Sequence, residues 1–181
     1  TLPARELRGG MAEALKHGVI ASETLFQQCL QDWMTTTRSR DVFVSDALSV
    51  KVDMVQRDPY EKGPRAALNL GHTIGHAVEL LSGFQLSHGE AVAIGLVAEA
   101  RLAQQIGMVD DRFIEGLIQA VQQLGLPTEI PETMRKSQIL DTMRMDKKNA
   151  KKRIRFALPR GFCHVETGVE IDNLETLFEQ I

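Results

Sequence analysis

The segment from residue 88 to residue 106 most limits how this chain can fold. It is rich in Ala, Val, Ile and Leu, which recur without a continuous polar face, and Gly107 follows it as a typical C-terminal helix cap. A helix that is apolar on most of its surface has to be covered by other elements. The chain is therefore predicted to be mainly α-helical, a multi-helix bundle with this segment as its central member.

Apolar residues at helical spacing predict further helices at residues 4–20, 23–36, 40–57, 110–124 and 137–145, and a last one between Asp172 and Phe178. Ser22 and Asp110 precede two of them as expected N-caps, and Gly125 closes one. Residues 58–64 contain two prolines and a glycine, which excludes a regular element there. Short alternating stretches at residues 153–158 and 163–166, on either side of residues 159–161, predict a small β-hairpin near the C-terminus.

Composition narrows the possible functions. The 181 residues include 43% hydrophobic residues, enough for one domain with a core of its own, and the net charge of -3 attracts neither nucleic acid nor an acidic membrane. No apolar run approaches the roughly 18 residues of a spanning helix. Cys29 and Cys163 lie far apart without metal-type neighbours, which favours free thiols in a reducing compartment such as the cytoplasm.

Residues 144–155 form a basic cluster with seven basic residues and one acid. Such a run is usually a solvated loop. Nucleic-acid binding is poorly supported, because the cluster contains no aromatic residue on which bases would stack. The third interpretation is an anion site, in which Lys147 or Lys148 reaches a phosphate or carboxylate.

Three of the five histidines, His72, His76 and His88, lie within seventeen residues. On a helix, His72 and His76 share a face with Cβ atoms roughly 6 Å apart, and a turn would return His88 to the same point. An isolated pair at this spacing is more often a chance arrangement than a metal site. Here Gly71 and Gly75 would allow close approach of another backbone, and Glu79 and Glu90 are placed to orient imidazoles, so the pattern favours a metal site.

A carboxylate to complete that site is present on the first predicted helix. Glu13, Lys16 and His17 share one face, and Gly9 and Gly10 precede them by one turn, which predicts close packing there. Glu13 with two histidines would form a catalytic type of zinc site, which leaves one position open for substrate. Spacing alone leaves either His72 or His76 as the second histidine ligand. His17 either packs in the core or is an additional ligand, and packing is favoured.

The charged residues near this site predict the kind of substrate. Lys16, Lys51 and Arg65 would neutralise anionic groups, and Glu61 and Asn69 lie in the loop that leads to His72. A bound cation would hold a hydroxyl or carbonyl oxygen and lower the pKa of that hydroxyl. The substrate is expected to be small, hydroxylated and negatively charged.

Several motifs in order along the chain resemble the 3-dehydroquinate synthase family, and specifically its C-terminal half. They are Leu-Pro-Ala-Arg-Glu-Leu at residues 2–7, Gly-Met-Ala-Glu-Ala-Leu-Lys at 10–16, the stretch 65–79 with Asn-Leu-Gly-His-Thr-Ile-Gly-His, His-Gly-Glu-Ala-Val-Ala at 88–93, and Asp-Lys-Lys-Asn at 146–149. The Asn-Leu-Gly-His-Thr-Ile-Gly-His block is the most specific of these. The resemblance covers essentially the entire chain.

The resemblance implies a role for each of these residues. It implies a zinc or cobalt site formed by Glu13, His72 and His88. His76 would lie near the substrate phosphate with Lys16 and a lysine of the Asp-Lys-Lys motif, taken as Lys147 with Lys148 as the alternative. Lys51 and Arg65 would hold the carboxylate and a neighbouring hydroxyl, Asn69 a hydroxyl, and Glu61 would order the site.

The resemblance also implies a reaction and its partners. The family converts 3-deoxy-D-arabino-heptulosonate 7-phosphate, a seven-carbon sugar-acid phosphate, into 3-dehydroquinate and phosphate with NAD, in the shikimate pathway, as a cytoplasmic homodimer. The sequence has no Gly-x-Gly-x-x-Gly, so the N-terminal NAD-binding domain is expected to be absent from residues 1–181, and this polypeptide alone is expected to have no turnover. The alternatives are another sugar-phosphate cyclase, a metal-dependent alcohol dehydrogenase-like domain, or a non-catalytic helical assembly domain.

Overall fold

The computed structural model describes residues 2–31, 37–146 and 153–181. The helices in these ranges are α1 (Ala4–Ala21), α2 (Glu23–Cys29), α3 (Thr37–Arg57), a short 3-10 helix (Pro64–Asn69), α4 (His72–Leu81), α5 (His88–Gln105), α6 (Asp111–Gln123), α7 (Lys136–Asp146) and α8 (Leu174–Phe178). Strands β1 (Phe156–Pro159) and β2 (Val165–Val169) pair antiparallel, with a register shift after Phe156. The predicted fold class, mainly helical with a C-terminal hairpin, is confirmed.

Helix α5 is the central element, because thirteen of its residues are buried and they serve both hydrophobic clusters of the described chain. One of its faces belongs to a cluster that also contains residues of α1, α2, α3 and α6, and the other face belongs to a cluster that contains residues of α4, α7, α8 and strand β1. The first face contains Ala93, Leu96, Val97 and Ala100, and the second contains Ile94, Ala98, Leu102 and Ala103. The N-terminal end of α5 thereby lies beside both α1 and α4.

Glycines allow α5 to approach these two neighbours at backbone distance. A Cβ at Gly95 would stand 2.0 Å from the carbonyl oxygen of Gly71, and one at Gly89 would stand 2.2 Å from the Cα of Gly9. Gly71 also has a φ of +78°, in the left-handed region, where the chain enters α4. The predicted close packing is therefore confirmed at Gly9 and Gly71. At Gly10 the prediction is wrong, because a Cβ there would meet no atom within 4 Å.

Three predicted boundaries are wrong for identifiable reasons. Helix α2 ends at Cys29 because the Leu30 amide turns back to bond the Gln27 carbonyl; residues 32–36 lie outside the described ranges. Asp172 does not cap α8, since its carboxylate bonds the Arg153 guanidinium at 3.0 Å. Strand β2 begins later than expected, because Cys163 has a φ of +59° and its amide donates to the Val19 carbonyl. None of the helices in the described ranges is long and apolar enough to cross a membrane.

Candidate metal centre and active site

Glu13, His72 and His88 meet where three helices converge. Glu13 lies midway along α1, while His72 and His88 are the first residues of α4 and α5. The Oε1 atom of Glu13 is 3.3 Å from the Nε2 atom of each histidine, and one ligand atom from each residue lies within 4.8 Å of the others. The structure therefore brings together the three side chains that the family resemblance implies as metal ligands.

The hydrogen bonds of the two imidazoles indicate which nitrogen is available. The Nδ1 atom of His72 is 3.1 Å from the Leu70 carbonyl oxygen, and that of His88 is 3.0 Å from a carboxylate oxygen of Glu79. Because both partners are acceptors, each Nδ1 carries a hydrogen, which leaves Nε2 as the nitrogen that can offer a lone pair to a cation. Two Nε2 atoms and a carboxylate oxygen thus converge on one place. This is a donor set that a divalent cation fits.

Glu79 acts as predicted from the sequence, whereas Glu90 does not. Glu90 contacts neither histidine; its carboxylate accepts from Arg5 at 3.1 Å and from the Ser87 amide at 2.8 Å. The hydrogen bond from the Arg5 side chain lowers the pKa of Glu90 to about 2 despite its partial burial. This contact ties the start of α1 to the start of α5. Glu90 therefore contributes by fixing the distance between the helices that carry Glu13 and His88.

Glu99 is a residue of the site that the sequence reasoning missed. It is fully buried in α5, and its carboxylate accepts hydrogen bonds from the Gly71 amide at 2.6 Å and the Ile74 amide at 3.1 Å. Those amides lie at the N-terminus of α4, where backbone N–H groups have no partner within the helix. The available signal was an acid inside an otherwise apolar segment, one turn after Gly95. A buried carboxylate at this point fixes where α4, and hence His72, begins.

Lys16 is the buried counterion of Glu13. Its Nζ atom lies 2.7 Å from Oε2 of Glu13 and donates to the Leu68 carbonyl at 2.9 Å. Burial lowers the pKa of Lys16, while the adjacent Glu13 opposes that shift. Burial likewise disfavours the charged form of Glu13, but the hydrogen bond with His72 and the charge of Lys16 outweigh it and hold the Glu13 pKa well below its usual range. Glu13 is therefore ionised at neutral pH.

A cavity of about 240 Å³ opens beside this cluster. Its wall brings together residues of α1, α3, the segment 61–69 and the first residues of α4 and α5, namely Glu13, Lys16, His17, Lys51, Glu61, Arg65, Asn69, His72 and His88 together with Val55 and Leu68. The amide of Asn69 donates to the Glu61 carboxylate at 2.7 Å, and Arg65 donates to the Pro59 carbonyl at 2.8 Å. Glu61 has a φ of +53°, an uncommon backbone conformation for this residue. The cavity thus joins the cluster of Glu13 and two histidines to three cationic side chains, Lys16, Lys51 and Arg65.

His76 lies in a second cavity of about 300 Å³, on the other side of His72 and Asn69. Its ring centroid is 5.1 Å from that of His72, one helical turn further along α4. The resemblance grouped His76 with Lys16, but the structure places Lys16 in the first cavity, because it is held there by Glu13. Lys147 and Lys148 lie outside the described residues.

Comparison with known families identifies the family. Residues 10–149 match the model described as 3-dehydroquinate synthase C-terminal. The chain belongs to the 3-dehydroquinate synthase family. It is 41% identical over 187 aligned residues to the 3-dehydroquinate synthase of Xanthomonas campestris pv. campestris (strain 8004), covering 98% of this chain and 50% of that protein. It is 40% identical over 187 residues to the enzyme of Xylella fastidiosa (strain M12), covering 95% and 49%.

The chain thus spans about half the length of the curated relatives it matches. Two solved structures share its fold. The 2-epi-5-epi-valiolone synthase ValA from Streptomyces hygroscopicus subsp. jinggangensis 5008, with NAD+ and Zn2+ bound, is 23% identical with a TM-score of 0.81 over 100% of this chain and 53% of its own. A 2-deoxy-scyllo-inosose synthase, complexed with carbaglucose-6-phosphate, NAD+ and Co2+, is 22% identical with a TM-score of 0.80 over 99% and 52%.

Proposed function

We propose that this chain is the metal- and substrate-binding half of a 3-dehydroquinate synthase. The complete enzyme would convert 3-deoxy-D-arabino-heptulosonate 7-phosphate into 3-dehydroquinate and phosphate, a reaction of the shikimate pathway. The observation that carries the proposal is the convergence of Glu13 Oε1 with the Nε2 atoms of His72 and His88 beside a cavity lined by cations. The identity of 40–41% to curated 3-dehydroquinate synthases supports the same assignment.

Glu13, His72 and His88 would hold Zn2+ or Co2+, the metals bound in the two structural relatives. When bound, such an ion supplies Lewis acidity that lowers the pKa of a substrate hydroxyl. Glu79 and the Leu70 carbonyl orient the two imidazoles through Nδ1, which would leave both Nε2 atoms to hold the ion. Lys16 keeps the Glu13 carboxylate ionised and in place.

The other residues of the first cavity would position the substrate. Lys51 and Arg65 are placed to oppose the charge of its carboxylate, and the planar guanidinium of Arg65 suits a carboxylate with two donors. Asn69 would contact a hydroxyl, with its orientation set by the hydrogen bond to Glu61. In the second cavity, His76 would contact the phosphate, joined by Lys147 or Lys148 of the basic cluster.

Metal content tests the site directly. The wild-type chain is expected to bind one equivalent of Zn2+ or Co2+, measured by elemental analysis after dialysis, and Glu13→Ala and His88→Ala are expected to bind none. His164→Ala is a matched control, because His164 is exposed on the hairpin turn and lies outside the cluster. A wild-type chain that binds no metal would refute the proposal and favour a structural assembly domain.

Hydride transfer would require NAD, the nucleotide bound in the two structural relatives, and we propose that a second, N-terminal half holds it. Because residues 1–181 contain no nucleotide-binding motif, we expect no phosphate release from 3-deoxy-D-arabino-heptulosonate 7-phosphate by this chain with NAD and Zn2+. Release at an enzyme-like rate would contradict this. We further propose that the complete enzyme is a cytoplasmic homodimer, which sedimentation and cell fractionation would test.

A cyclase for a sugar phosphate that has no carboxylate is the nearest alternative, since one structural relative binds carbaglucose-6-phosphate. Lys51 and Arg65 together favour a substrate with a carboxylate. Calorimetric titration of the Co2+-loaded chain should therefore show tighter binding of 3-deoxy-D-arabino-heptulosonate 7-phosphate than of carbaglucose-6-phosphate. Equal or reversed affinities would favour a substrate without a carboxylate.

A further inference from the structure

His17 has one ring nitrogen fixed by the backbone and the other available to the first cavity. Its side chain is 94% buried between α1 and α3, with 6% exposed, and Nδ1 lies 2.8 Å from the Ala47 carbonyl oxygen. A carbonyl oxygen only accepts, so Nδ1 carries the hydrogen and Nε2 of the neutral ring is an acceptor. Among the described residues, no hydrogen-bond partner of Nε2 is found. Nε2 is nevertheless not one of the buried polar atoms without a partner, so it is accessible from outside the core. It therefore opens onto the cavity that His17 lines.

The ring stays neutral because of where it is held. Burial is the largest effect and lowers the pKa of His17 to about 4; the charge of Lys16 acts in the same direction, and Glu13 and the Ala47 carbonyl oppose it. At neutral pH, Nε2 therefore presents a lone pair in a fixed direction. Since His17 is outside the cluster of Glu13, His72 and His88, this lone pair is not part of the candidate metal site.

Acceptors are few on the wall of the cavity formed by α1 and α3, where Lys16 and Lys51 lie. Lys16, Lys51 and Arg65 can only donate hydrogen bonds. Glu13 is engaged by Lys16 and faces the imidazoles, while the acceptors of Glu61 and Asn69 belong to the segment 61–69 and not to α1 or α3. A substrate hydroxyl both donates and accepts, and a donor without a partner in a buried site reduces affinity. His17 supplies a neutral acceptor on the side of the cavity formed by α1 and α3.

We propose that His17 is a specificity-determining residue, whose Nε2 atom accepts a hydrogen bond from a hydroxyl of the polyhydroxylated acid. The proposal rests on the proposed function, because it takes the substrate to occupy the first cavity. It changes the interpretation of His17 from a packing residue to one that packs through Nδ1 and binds substrate through Nε2. A ring held in one tautomer would distinguish a hydroxyl group from a carbonyl or ether oxygen, neither of which donates.

Two substitutions separate the two nitrogens. In His17→Asn the amide can still donate to Ala47 but presents no acceptor at the position of Nε2. His17→Gln reaches that position with its oxygen but loses the geometry of the Ala47 bond. Binding of 3-deoxy-D-arabino-heptulosonate 7-phosphate to each Co2+-loaded chain is measured by calorimetry. We expect Kd to rise roughly fivefold in His17→Asn, which corresponds to about 1 kcal/mol, and to change less than about twofold in His17→Gln.

The opposite order, with His17→Gln impaired and His17→Asn equal to wild type, would show that His17 only ties α1 to α3 and would overturn the inference. A long-range 1H–15N spectrum of the wild-type chain gives an independent test that needs no variant. The Nε2 resonance of His17 should move on addition of the substrate while Nδ1 stays protonated, and an unmoved Nε2 resonance would also overturn the inference. A wild-type chain that binds metal but not this compound would instead refute the proposed substrate.

Discussion

Replacement of Glu99 by Gln is expected to weaken both the fold and the metal site. The carboxylate of Glu99 is fully buried and accepts from two backbone amides, those of Gly71 and Ile74. Gln has nearly the same shape but only one acceptor oxygen. Its NH2 group would face one of the two backbone N–H groups, so a buried donor would lose its partner.

The size of the effect follows from these contacts. A hydrogen bond to a charged group contributes roughly 1.5–3 kcal/mol, and a buried donor without a partner costs about 1–3 kcal/mol. Losing one such bond at Glu99 should therefore lower the free energy of unfolding by about 3 kcal/mol, a large part of the roughly 5–15 kcal/mol of an ordinary domain. For a chain of this size, that corresponds to a fall in Tm of about 6–12 °C.

Thermal unfolding of the metal-free chain, followed by circular dichroism, measures this change. Glu115→Gln is the matched control, because Glu115 is exposed on α6. Affinity for Co2+ should also fall in Glu99→Gln, since the N-terminus of α4 positions His72. A Tm within about 2 °C of wild type would refute the assigned role of Glu99, because no buried charged hydrogen bond of ordinary strength would then have been lost.

Three further perturbations test other parts of the structure. Gly95→Ala should destabilise the chain by about 3 kcal/mol or more in urea unfolding, since its Cβ would meet the Gly71 carbonyl. Gly116→Ala, in an open helical position, is the control and should stabilise the chain by about 1 kcal/mol. Equal effects of the two substitutions would contradict the close packing at Gly95. The pKa of His17 falls from 6.5 to about 4 on folding, so its contribution to the free energy of unfolding is complete above pH 6.5 and is lost, by roughly 3 kcal/mol, as the pH falls toward 4. Urea titrations at the two pH values should show a smaller loss of stability in His17→Asn than in the wild type. An unchanged loss would exclude His17 as its source. Glu79→Ala should weaken Co2+ binding by about 10- to 100-fold in chelator competition, and unchanged affinity would show that the carboxylate does not orient His88.

The helices were the most predictable part of the structure. Periodicity and caps are local properties, so Ser22 and Asp110 accept hydrogen bonds from the first turns of α2 and α6 as expected. The central position of α5 also followed from its composition, because an apolar helix has to be covered. Two predicted ends were wrong because a distant residue competed, as Arg153 does for Asp172 and Val19 does for Cys163.

The contacts that support the site were less predictable. Glu90 was expected to orient an imidazole from its position two residues after His88, but Arg5, far away in sequence, binds it instead. Glu99 carried no local signal of what it binds, because its partners are backbone amides of another helix. Side-chain spacing indicates which residues share a face and does not indicate which element covers that face.

The sequence by itself determined the helical segments, the family and the residue types available for a metal site, since each of these depends on local pattern or on shared motifs. Spacing alone left open whether His72 or His76 would face Glu13, and only the family resemblance implied His72. The tertiary structure decided this. The close approach of α4 and α5 at Gly71 and Gly95, together with the carboxylate of Glu99, sets the first turn of α4 against α1. His72 is in that turn beside Glu13, whereas His76, one turn further along the same helix, opens into the second cavity.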